Sequence, residues 1–364
     1  MSVADLALQR SKYKHLSDEE WRWFLQQVEG RERTADKLPT FASIPDWWYP
    51  VRLSCEQCSS ELTAKYKASL VSGETMVDLT GGYGVDTYFI SEQFAHTDYV
   101  EQNAELCRIA THNFANKPIT IHNTSAEDFL ASAGQYDLIF IDPARRDSHG
   151  GKVFRLEDCT PNVVELLPTL LAHGKRLMIK LSPMLDLTQA VTSLSQVCWD
   201  IFVVAIKNEV KEVLLLSGGT GQITAIDLDK KDQAFVFTKE EEQNCQMVNG
   251  KCENGKWLYE PNAAILKSGA YKLVAQRFGL HKLDVNTHLY GSDSLVENFP
   301  GRVWKVVEKQ DLKQANVLCR NYPLTPEQLK KKMHLKDGGT AYVIGCRVAG
   351  KPTLFFAERI EDIH

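Results

Sequence analysis

Apolar positions along the chain follow two different spacings. Between residues 75 and 220, short apolar runs such as "TMVDL" and "YDLIFIDP" alternate with segments in which apolar residues recur every three or four positions. Short apolar runs bounded by turn residues predict buried strands, whereas the longer spacing predicts helices. Strands that alternate with helices are typical of a parallel sheet covered on both faces. We therefore predict an α/β core for this part of the chain.

The alternation ends with a different connection. The stretch "IFVVAIKNEVKEVLLLSGG" holds two apolar runs that are separated only by "KNEVKE". A parallel pairing needs a connection of a dozen or more residues, so these two strands must be antiparallel. The pattern therefore predicts a mostly parallel sheet with an antiparallel final hairpin, unlike the purely parallel sheets that bind dinucleotides.

The N-terminal region is predicted to be helical. Ser17 and Glu20 have the spacing of a capping box ahead of an apolar face that begins at Trp21. A proline-containing break follows and carries "WWY" at residues 47–49. Such aromatic residues either stack on nucleic-acid bases or pack a helical cap onto the main domain, and we favour packing.

The last third of the chain predicts a small α+β module. Its pattern combines hairpin strands with a helix, "LTPEQLKKKMHL", that has Thr325 as N-cap and Pro326 at its first position. Residues 256–364 carry 17 Lys and Arg against 11 Asp and Glu, a net of +6, whereas the rest of the chain has a net of −11. A basic module on an acidic body suggests contact with a polyanion. Ordinary charge variation between domains is the alternative explanation of the same net charges.

Composition excludes several classes of protein. The chain has 364 residues, of which 43% are hydrophobic and 24% charged, as in ordinary globular proteins. It lacks a run of about 18 apolar residues, so no membrane span is expected, and a cytoplasmic location is predicted. Nine cysteines, an odd and scattered set, indicate reduced thiols. The CxxC pair Cys55 and Cys58 lacks the second pair that a zinc ribbon needs, so no metal site is predicted.

A glycine-rich loop gives the first chemical signal. In "MVDLTGGYGVD", Asp78 ends a predicted strand, and Gly81, Gly82 and Gly84 lie between that strand and a helix. Glycine allows a close approach of the backbone to a ligand and a positive φ, and a helix N-terminus attracts anions. A strand-to-helix turn without a ligand would have the same residues, so the loop alone does not decide the function.

Three more polar features follow the next predicted strands. Glu101 ends the second strand, 17 residues after Gly84, where a carboxylate can accept hydrogen bonds from ribose hydroxyls. The segment "TSAEDFL" follows the third strand, at the position for an adenine edge. Asp142 and Pro143 end the fourth strand. Because the carboxyl ends of parallel strands face one crevice, we expect these features to share a site.

These motifs carry a family resemblance. "VDLTGGYGVD", "YVEQN", "SAEDF" and "LIFIDPARRD", in this order, resemble class I S-adenosylmethionine (SAM)-dependent methyltransferases over residues 55–220. "EQCSSELTAKYKA", "IKLSPMLD" and "RNYPLTPEQLKKK" are similar to a bacterial group of methyltransferases with a THUMP-like C-terminal domain. The resemblance implies a Rossmann-like sheet of seven strands. Because THUMP domains occur in RNA-modifying enzymes, it also implies an RNA substrate, either tRNA or rRNA.

The resemblance further implies roles for individual residues, with SAM as cofactor. Asp78 and the loop would meet the amino-acid end of SAM, Glu101 would hold its ribose, and the start of the next helix would border its adenine. The residues expected to bind SAM are Asp78, Thr80, Gly81, Gly82, Tyr83, Gly84, Glu101, Ser125, Ala126 and Glu127. Many relatives have Asp at the position of Ser125. Tyr66 and Lys67 either close the cofactor pocket or cap the sheet surface.

Asp142 and Pro143 are the candidate catalytic residues. Enzymes that methylate exocyclic amines usually have Asp/Asn-Pro-Pro-aromatic here, whereas this chain has Arg145 at the fourth position. Methylation of pyrimidine carbon usually needs a neighbouring cysteine, and none adjoins Pro143 in the sequence. Arg145, Arg146 and Lys180 are candidates for phosphate contacts of the substrate, with surface salt bridges as the alternative.

We predict four regions from these patterns. They are an N-terminal helical region (1–64), a methyltransferase domain (65–240), a connecting α/β region that resembles a ferredoxin-like fold (241–298) and a THUMP-like α+β domain (299–364). Two other functions stay open at this point: an NAD-linked oxidoreductase and a non-catalytic RNA-binding protein on a methyltransferase fold. A protein or a small molecule as the methyl acceptor also stays open. The sequence leaves the oligomeric state open.

Overall fold

A computed structural model describes residues 3–145, 155–229, 234–246 and 255–360. The chain divides into two compact units. The first consists of residues 1–199 and 214–218, and the second of residues 200–213 and 219–364.

Helices and strands alternate along much of the chain. The α-helices are α1 (Val3–Ala7), α2 (Asp18–Thr34), α3 (Pro39–Ser43), α4 (Arg52–Gln57), α5 (Glu61–Ser69), α6 (Val85–Ile90), α7 (Ala104–Asn113), α8 (Ala126–Leu130), α9 (Val163–His173), α10 (Leu187–Ser193), α11 (Lys239–Asn244), α12 (Ala263–Ser268), α13 (Leu273–Phe278) and α14 (Pro326–Lys332). The strands are β1 (Gly73–Asp78), β2 (Phe94–Val100), β3 (Ile119–His122), β4 (Tyr136–Ile141), β5 (Ala144–Arg145), β6 (Cys159–Thr160), β7 (Gly174–Leu181), β8 (Trp199–Ile206), β9 (Glu209–Ser217), β10 (Gln222–Asp227), β11 (Phe235–Thr238), β12 (Trp257–Pro261), β13 (His281–Asp284), β14 (Thr287–Ser292), β15 (Gly301–Val307), β16 (Asn316–Arg320), β17 (Ala341–Val348) and β18 (Lys351–Ile360). None of the described helices is both long enough and apolar enough to cross a membrane.

The first unit is built on a parallel sheet in the order β3-β2-β1-β4-β7. Val77 and Ile139, in the middle of adjacent strands, are fully buried. The end of β9 lies beside β7, where the Leu177 N–H donates a hydrogen bond of 2.7 Å to Ser217 Oγ. The predicted α/β core with parallel strands is confirmed. Its register places Asp78 opposite Tyr99 and Phe140 at the carboxyl edge.

The predicted antiparallel hairpin is formed by β8 and β9. These strands are neighbours in the sheet and are joined by Lys207 and Asn208 alone. Both residues have positive φ, 52° and 61°, as the two central residues of a type I′ turn require. Beyond this hairpin, β10 pairs in parallel with β8, and β11 pairs antiparallel with β10. The Rossmann-like fold is therefore present, and β10 and β11 are added to the seven strands predicted for its sheet.

The N-terminal helices pack onto the rest of the first unit through aromatic side chains. Trp47 is 5% exposed and stacks on Phe41 with 4.0 Å between ring centroids. Trp48 stacks on His112 at 3.8 Å. The aromatic cluster therefore packs the helical cap, as we favoured from the sequence. The capping box of α2 is also confirmed.

A second sheet lies within the second unit. Its strands follow the order β13-β14-β12-β15-β18-β17-β16. Neighbouring strands are antiparallel, except that β16 and β17 run in parallel. Trp304 is fully buried in the core of this sheet. Helix α14 has the predicted N-cap Thr325 and packs through the buried Leu329. The predicted small α+β module is thus confirmed.

Candidate functional site

A cleft opens at the carboxyl ends of the parallel strands in the first unit. Asp78, Glu101 and Asp142, which end or follow β1, β2 and β4, all line it. These three acids are far apart in the sequence. The parallel sheet brings them together, because the carboxyl ends of its strands lie at one edge. The cleft therefore collects the strand-end acids that the sequence singled out.

The loop between β1 and α6 needs its glycines for steric and conformational reasons. A Cβ atom on Gly81 would lie 2.1 Å from the Tyr99 ring, so that ring excludes any side chain at this position. Gly82 and Gly84 have φ of 55° and 83°, in the left-handed region that favours glycine. The Tyr99 hydroxyl donates a hydrogen bond of 2.6 Å to the Gly82 carbonyl. Tyr99 thus holds the loop at the floor of the cleft.

Asp78 lies beneath this loop and is 1% exposed. Its Oδ1 accepts a hydrogen bond of 2.9 Å from the Thr80 N–H, and its Oδ2 accepts one of 2.6 Å from the Thr87 hydroxyl. Burial raises the pKa of Asp78 to about 7, although these hydrogen bonds oppose the rise. Asp78 therefore both shapes the loop and carries a charge that changes near neutral pH.

Glu101 links the loop to the next strand. Its Oε2 accepts a hydrogen bond of 2.9 Å from the Gly82 N–H, and its Oε1 accepts one of 2.7 Å from the Asn103 N–H. An ionised carboxylate has more lone pairs than these two bonds occupy. Glu101 can therefore accept further hydrogen bonds from a ligand in the cleft.

The start of α8 forms another wall of the cleft. Ser125, Ala126 and Glu127 all line it, together with Thr124. Ser125 is the N-cap of α8, because its Oγ accepts a hydrogen bond of 3.0 Å from the Asp128 N–H. Its side chain is therefore held by the helix, and a ligand would meet this wall mainly through the backbone and the buried Ala126.

Asp142 lines the cleft and is held there by a hydrogen bond and an ion pair. Its N–H donates a hydrogen bond of 2.7 Å to the Thr80 hydroxyl, which ties β4 to the glycine loop. Its Oδ2 lies 2.5 Å from Lys180 Nζ. Lys180 Nζ also lies 3.4 Å from Oδ2 of Asp86, so this ammonium group bridges two carboxylates.

Similarity to known proteins is found for the whole chain and for its C-terminal part. Residues 257–300 match a ferredoxin-like domain model, and residues 301–359 match a THUMP domain-like model. A crystal structure from Porphyromonas gingivalis W83, assigned as a methyltransferase, is 33% identical with a TM-score of 0.85 and covers 95% of this chain and 92% of that chain. Two curated Mycobacterium tuberculosis proteins, from strains CDC 1551 and H37Rv, are each 23% identical over 345 residues, 90% of this chain and 92% of their own. Both are named as uncharacterized S-adenosylmethionine-dependent methyltransferases.

The chain belongs to the SAM-dependent methyltransferases. It is therefore an enzyme with SAM as its cofactor, as the resemblance implied, and the NAD-linked oxidoreductase is set aside. The ferredoxin-like match ends at residue 300, and the THUMP domain-like match begins at residue 301. The four region boundaries drawn from the sequence stay a prediction.

The charges of the methyltransferase cleft fit SAM better than a dinucleotide. The described residues lining it include five acids and one lysine: Asp78, Asp86, Glu101, Glu127, Asp142 and Lys180. Its acidic character matches the positive charges of the SAM sulfonium and amino groups. A dinucleotide pyrophosphate would need the N-terminus of α6, where the Asp86 carboxylate already occupies the first turn.

Asp86 is the site residue that the sequence analysis missed. It is buried, and its Oδ1 lies 3.1 Å from Nζ of the fully buried Lys67. Its Oδ2 accepts a hydrogen bond of 2.7 Å from the Ser59 hydroxyl. Burial opposes ionisation, but Lys67 and Lys180 hold the pKa of Asp86 below its ordinary value. The position of Asp86, second in the helix that follows the glycine loop, could have marked it as a site residue. Its lysine partners are far away in sequence, so their pairing with it could not be predicted.

The other predicted residues differ in their relation to the cleft. Tyr83 lines it, and its hydroxyl accepts a hydrogen bond of 2.8 Å from Trp47 Nε1. Pro143 is partly buried and is not among the cleft-lining residues. Arg146 and the side chain of Arg145 lie outside the described part of the structure. Lys67 is buried beneath the cleft and Tyr66 does not line it, so neither closes it in this structure.

Cys58 lines the cleft although no cysteine adjoins the motif in sequence. Its Sγ lies 3.2 Å from the Cys55 carbonyl and donates to it. Burial raises the pKa of the Cys58 thiol, and burial also raises that of Cys55, to about 12. Both thiols are therefore held in the protonated, weakly nucleophilic form. Among the described residues, no group of three or more potential ligands has metal-binding geometry.

Proposed function

We propose that this methyltransferase modifies RNA, either tRNA or rRNA. The observation that carries the proposal is the THUMP domain-like match at residues 301–359. This segment holds 12 Lys and Arg against 5 Asp and Glu, a net of +7. An excess of positive charge is the electrostatic property that binding to a phosphate backbone requires.

The positive charge is concentrated around α14. Lys331 and Lys332, in its last turn, are exposed, while Lys330 pairs with Asp337 at 3.2 Å. Lys336 and Lys313 are exposed and adjacent, because the Lys336 N–H donates a hydrogen bond of 3.0 Å to the Lys313 carbonyl. These lysines form what we call the α14 basic surface: Lys313, Lys331, Lys332 and Lys336. A surface of this kind supports contacts to RNA phosphates.

The cleft residues would hold SAM as follows. The loop of residues 80–84, shaped by Asp78, would receive the amino-acid end, because its backbone approaches closely and its acid complements an amino group. Glu101 would accept hydrogen bonds from the ribose hydroxyls. Residues 125–127 would border the adenine. When bound, SAM supplies a methyl group that its sulfonium already activates.

The residues around Asp142 would then align the methyl acceptor. Transfer of an activated methyl group depends mainly on positioning a nucleophile in line with the breaking bond. Asp142 is fixed by Thr80 and Lys180, and its side chain is 37% exposed. It is therefore placed to accept a hydrogen bond or a proton from the acceptor. Contacts of Arg145 and Arg146 with substrate phosphates remain predictions from the sequence.

The proposal is tested by transfer of a labelled methyl group. The purified enzyme is incubated with methyl-tritiated SAM and total RNA from a strain that lacks the gene. We expect label in RNA, less label in RNA from the parent strain, and none with the Asp142→Ala variant. Incorporation into protein or small molecules from the same cells, with none into RNA, would contradict the RNA assignment but leave the methyltransferase intact.

A further inference from the structure

Lys180 is held between two carboxylates beside the candidate methyl-transfer position. Its Nζ lies 2.5 Å from Asp142 and 3.4 Å from Asp86, and its side chain is 13% exposed. Lysine carries a strongly hydrated ammonium group on a flexible stem, which can bind a substrate phosphate. The sequence suggested such a role for Lys180, but its side chain is directed at the two acids instead.

The neighbouring buried charges keep Lys180 in place. Asp86 pairs with the fully buried Lys67 at 3.1 Å and accepts a hydrogen bond from Ser59. Removing any one member would leave a buried charge with fewer partners, which is costly. The arrangement therefore fixes an ammonium group against Asp142 on the floor of the cleft.

A fixed ammonium group at this position is unfavourable for an amine acceptor. An exocyclic amine offers N–H groups, and it needs acceptors such as the Asp142 carboxylate to orient it. Lys180 donates a hydrogen bond to one of those oxygen atoms, and its ammonium group lines the same cleft. The aromatic residue that usually stacks on a flipped base is replaced by Arg145.

Carbon methylation of a pyrimidine is also unfavourable. That chemistry needs a cysteine thiolate, and Cys58 is the cysteine among the described cleft-lining residues. Burial raises the pKa of Cys58, and its thiol donates to a carbonyl. Cys159 is 2% exposed and does not line the cleft.

We infer that the methyl acceptor is a hydroxyl oxygen, which in RNA is the ribose 2′-hydroxyl, and that the Lys180 ammonium stabilises the negative charge that develops on it. This inference rests on the proposed RNA substrate. The hydroxyl oxygen forms the new bond to the methyl carbon while the bond from that carbon to sulfur breaks, and the electron pair stays on sulfur. The hydroxyl proton passes to the Asp142 carboxylate and then to solvent. Donors fixed at a developing oxyanion are typically among the largest contributions to catalysis.

The position of the methyl group tests the acceptor. RNA labelled by the enzyme with methyl-tritiated SAM is hydrolysed in alkali, which cannot cleave next to a 2′-O-methyl ribose. Label in alkali-resistant dinucleotides supports the inference. Label in mononucleotides overturns it, while leaving the RNA substrate correct. If SAM binds by calorimetry but no label enters RNA, both the inference and the proposed function fail.

The role of Lys180 is tested by substituting it and by substituting a second lysine on the same strand, β7. We expect Lys180→Met to lower kcat by about 100-fold with SAM affinity retained, and Lys180→Arg to recover part of the loss. The control is Lys175→Met, because Lys175 also pairs with an aspartate, Asp137, but is 72% exposed. A kcat of Lys180→Met equal to that of Lys175→Met would overturn the assignment.

A measurement without SAM or RNA tests the geometry itself. Reductive methylation, followed by mass spectrometry of the folded enzyme, reports how accessible each lysine is. Lys180 should react more slowly than Lys175, and Asp142→Asn should reduce this protection. Equal rates for the two lysines would show that Lys180 is not held between the acids, and would overturn its catalytic role.

Discussion

The Gly82 N–H donates a hydrogen bond of 2.9 Å to the Glu101 carboxylate, which joins the glycine loop to the end of the second strand. One acid therefore has two tasks: it fixes the loop that would receive the amino-acid end of SAM, and it faces the place proposed for the ribose. The loop and the ribose site are coupled through this side chain, so a change in Glu101 should affect both.

Glu101→Gln should weaken SAM binding. An amide has one acceptor oxygen, so it cannot accept hydrogen bonds from Gly82, Asn103 and a ribose as the carboxylate can. Loss of a charge-assisted hydrogen bond costs about 1.5–3 kcal/mol, which corresponds to a Kd about 10- to 150-fold higher. Calorimetric titration with SAM measures this change. Glu105→Gln is the control, since Glu105 is half exposed and pairs with Arg108; equal Kd values for both variants would contradict the ribose role.

The stability of the enzyme should depend on pH through Asp78. Its pKa is about 7 in the folded protein, because of burial, against about 3.9 in an unfolded chain. Between these values the folded state binds more protons, so its free energy of unfolding falls as pH rises from 4 to 7 and levels off above that. Each pH unit in this window contributes about 1.4 kcal/mol.

The contribution of Asp78 is isolated by comparison with Asp78→Asn. The asparagine does not ionise, so the stability of the variant relative to the wild type should increase between pH 5 and pH 8. Urea unfolding at several pH values measures both proteins. A constant difference across this range would show that Asp78 does not titrate there.

Gly81→Ala should destabilise the enzyme and distort the loop. The added Cβ would lie 2.1 Å from the Tyr99 ring, which is buried and cannot move aside without shifting the sheet. Overpacking of this kind costs about 1–3 kcal/mol. Gly134→Ala is the matched control, because no atom beyond its two chain neighbours lies within 4 Å of the position that its Cβ would take. Urea unfolding should separate the two, and similar midpoints would contradict the steric argument.

Lys67→Met should destabilise the fold much more than Lys65→Met. Lys67 is fully buried against Asp86, so its removal leaves a buried carboxylate with fewer partners, at a cost of about 3–5 kcal/mol. Lys65 is on the same helix, but its side chain is 56% exposed and its pair with Glu61 is worth less than about 1 kcal/mol. Thermal unfolding measures both variants; a smaller loss for Lys67→Met would contradict the account of the buried charges.

The α14 basic surface should contribute to RNA affinity in a salt-dependent way. Replacing Lys331 and Lys332 with Glu should weaken binding of total tRNA and reduce the slope of log K against log salt by about 2. Filter binding at several salt concentrations measures the slope. Lys351→Glu is the control, since Lys351 is exposed elsewhere in the same unit. An unchanged slope in the double variant would exclude this surface from RNA binding.

Much of the fold follows from local patterns in the sequence. Alternating strands and helices, the capping box at Ser17, the N-cap at Thr325 and the short "KNEVKE" connection depend on neighbours within one or two turns of chain. The strand-end acids could be placed at one edge for the same reason, because parallel strands share their carboxyl edge. The strands β10 and β11 extend the predicted seven, because the pairing of β10 with β8 is a long-range contact that a local pattern does not carry, and β11 joins the sheet through β10.

The sequence by itself determined the parallel core, its antiparallel hairpin and the three acids that end its strands. Only the tertiary structure decided the electrostatics of the cleft. Lys67, Asp86 and Lys180 come from separate elements, and their pairing depends on burial and distance rather than on spacing along the chain. Burial also raises the pKa of Asp78, whereas its sequence neighbours would not distinguish it from an exposed acid. Charges interact through space, and the strength of the interaction depends on the surrounding protein. The pairing of these charges and the resulting pKa shifts therefore appear only when the chain is folded.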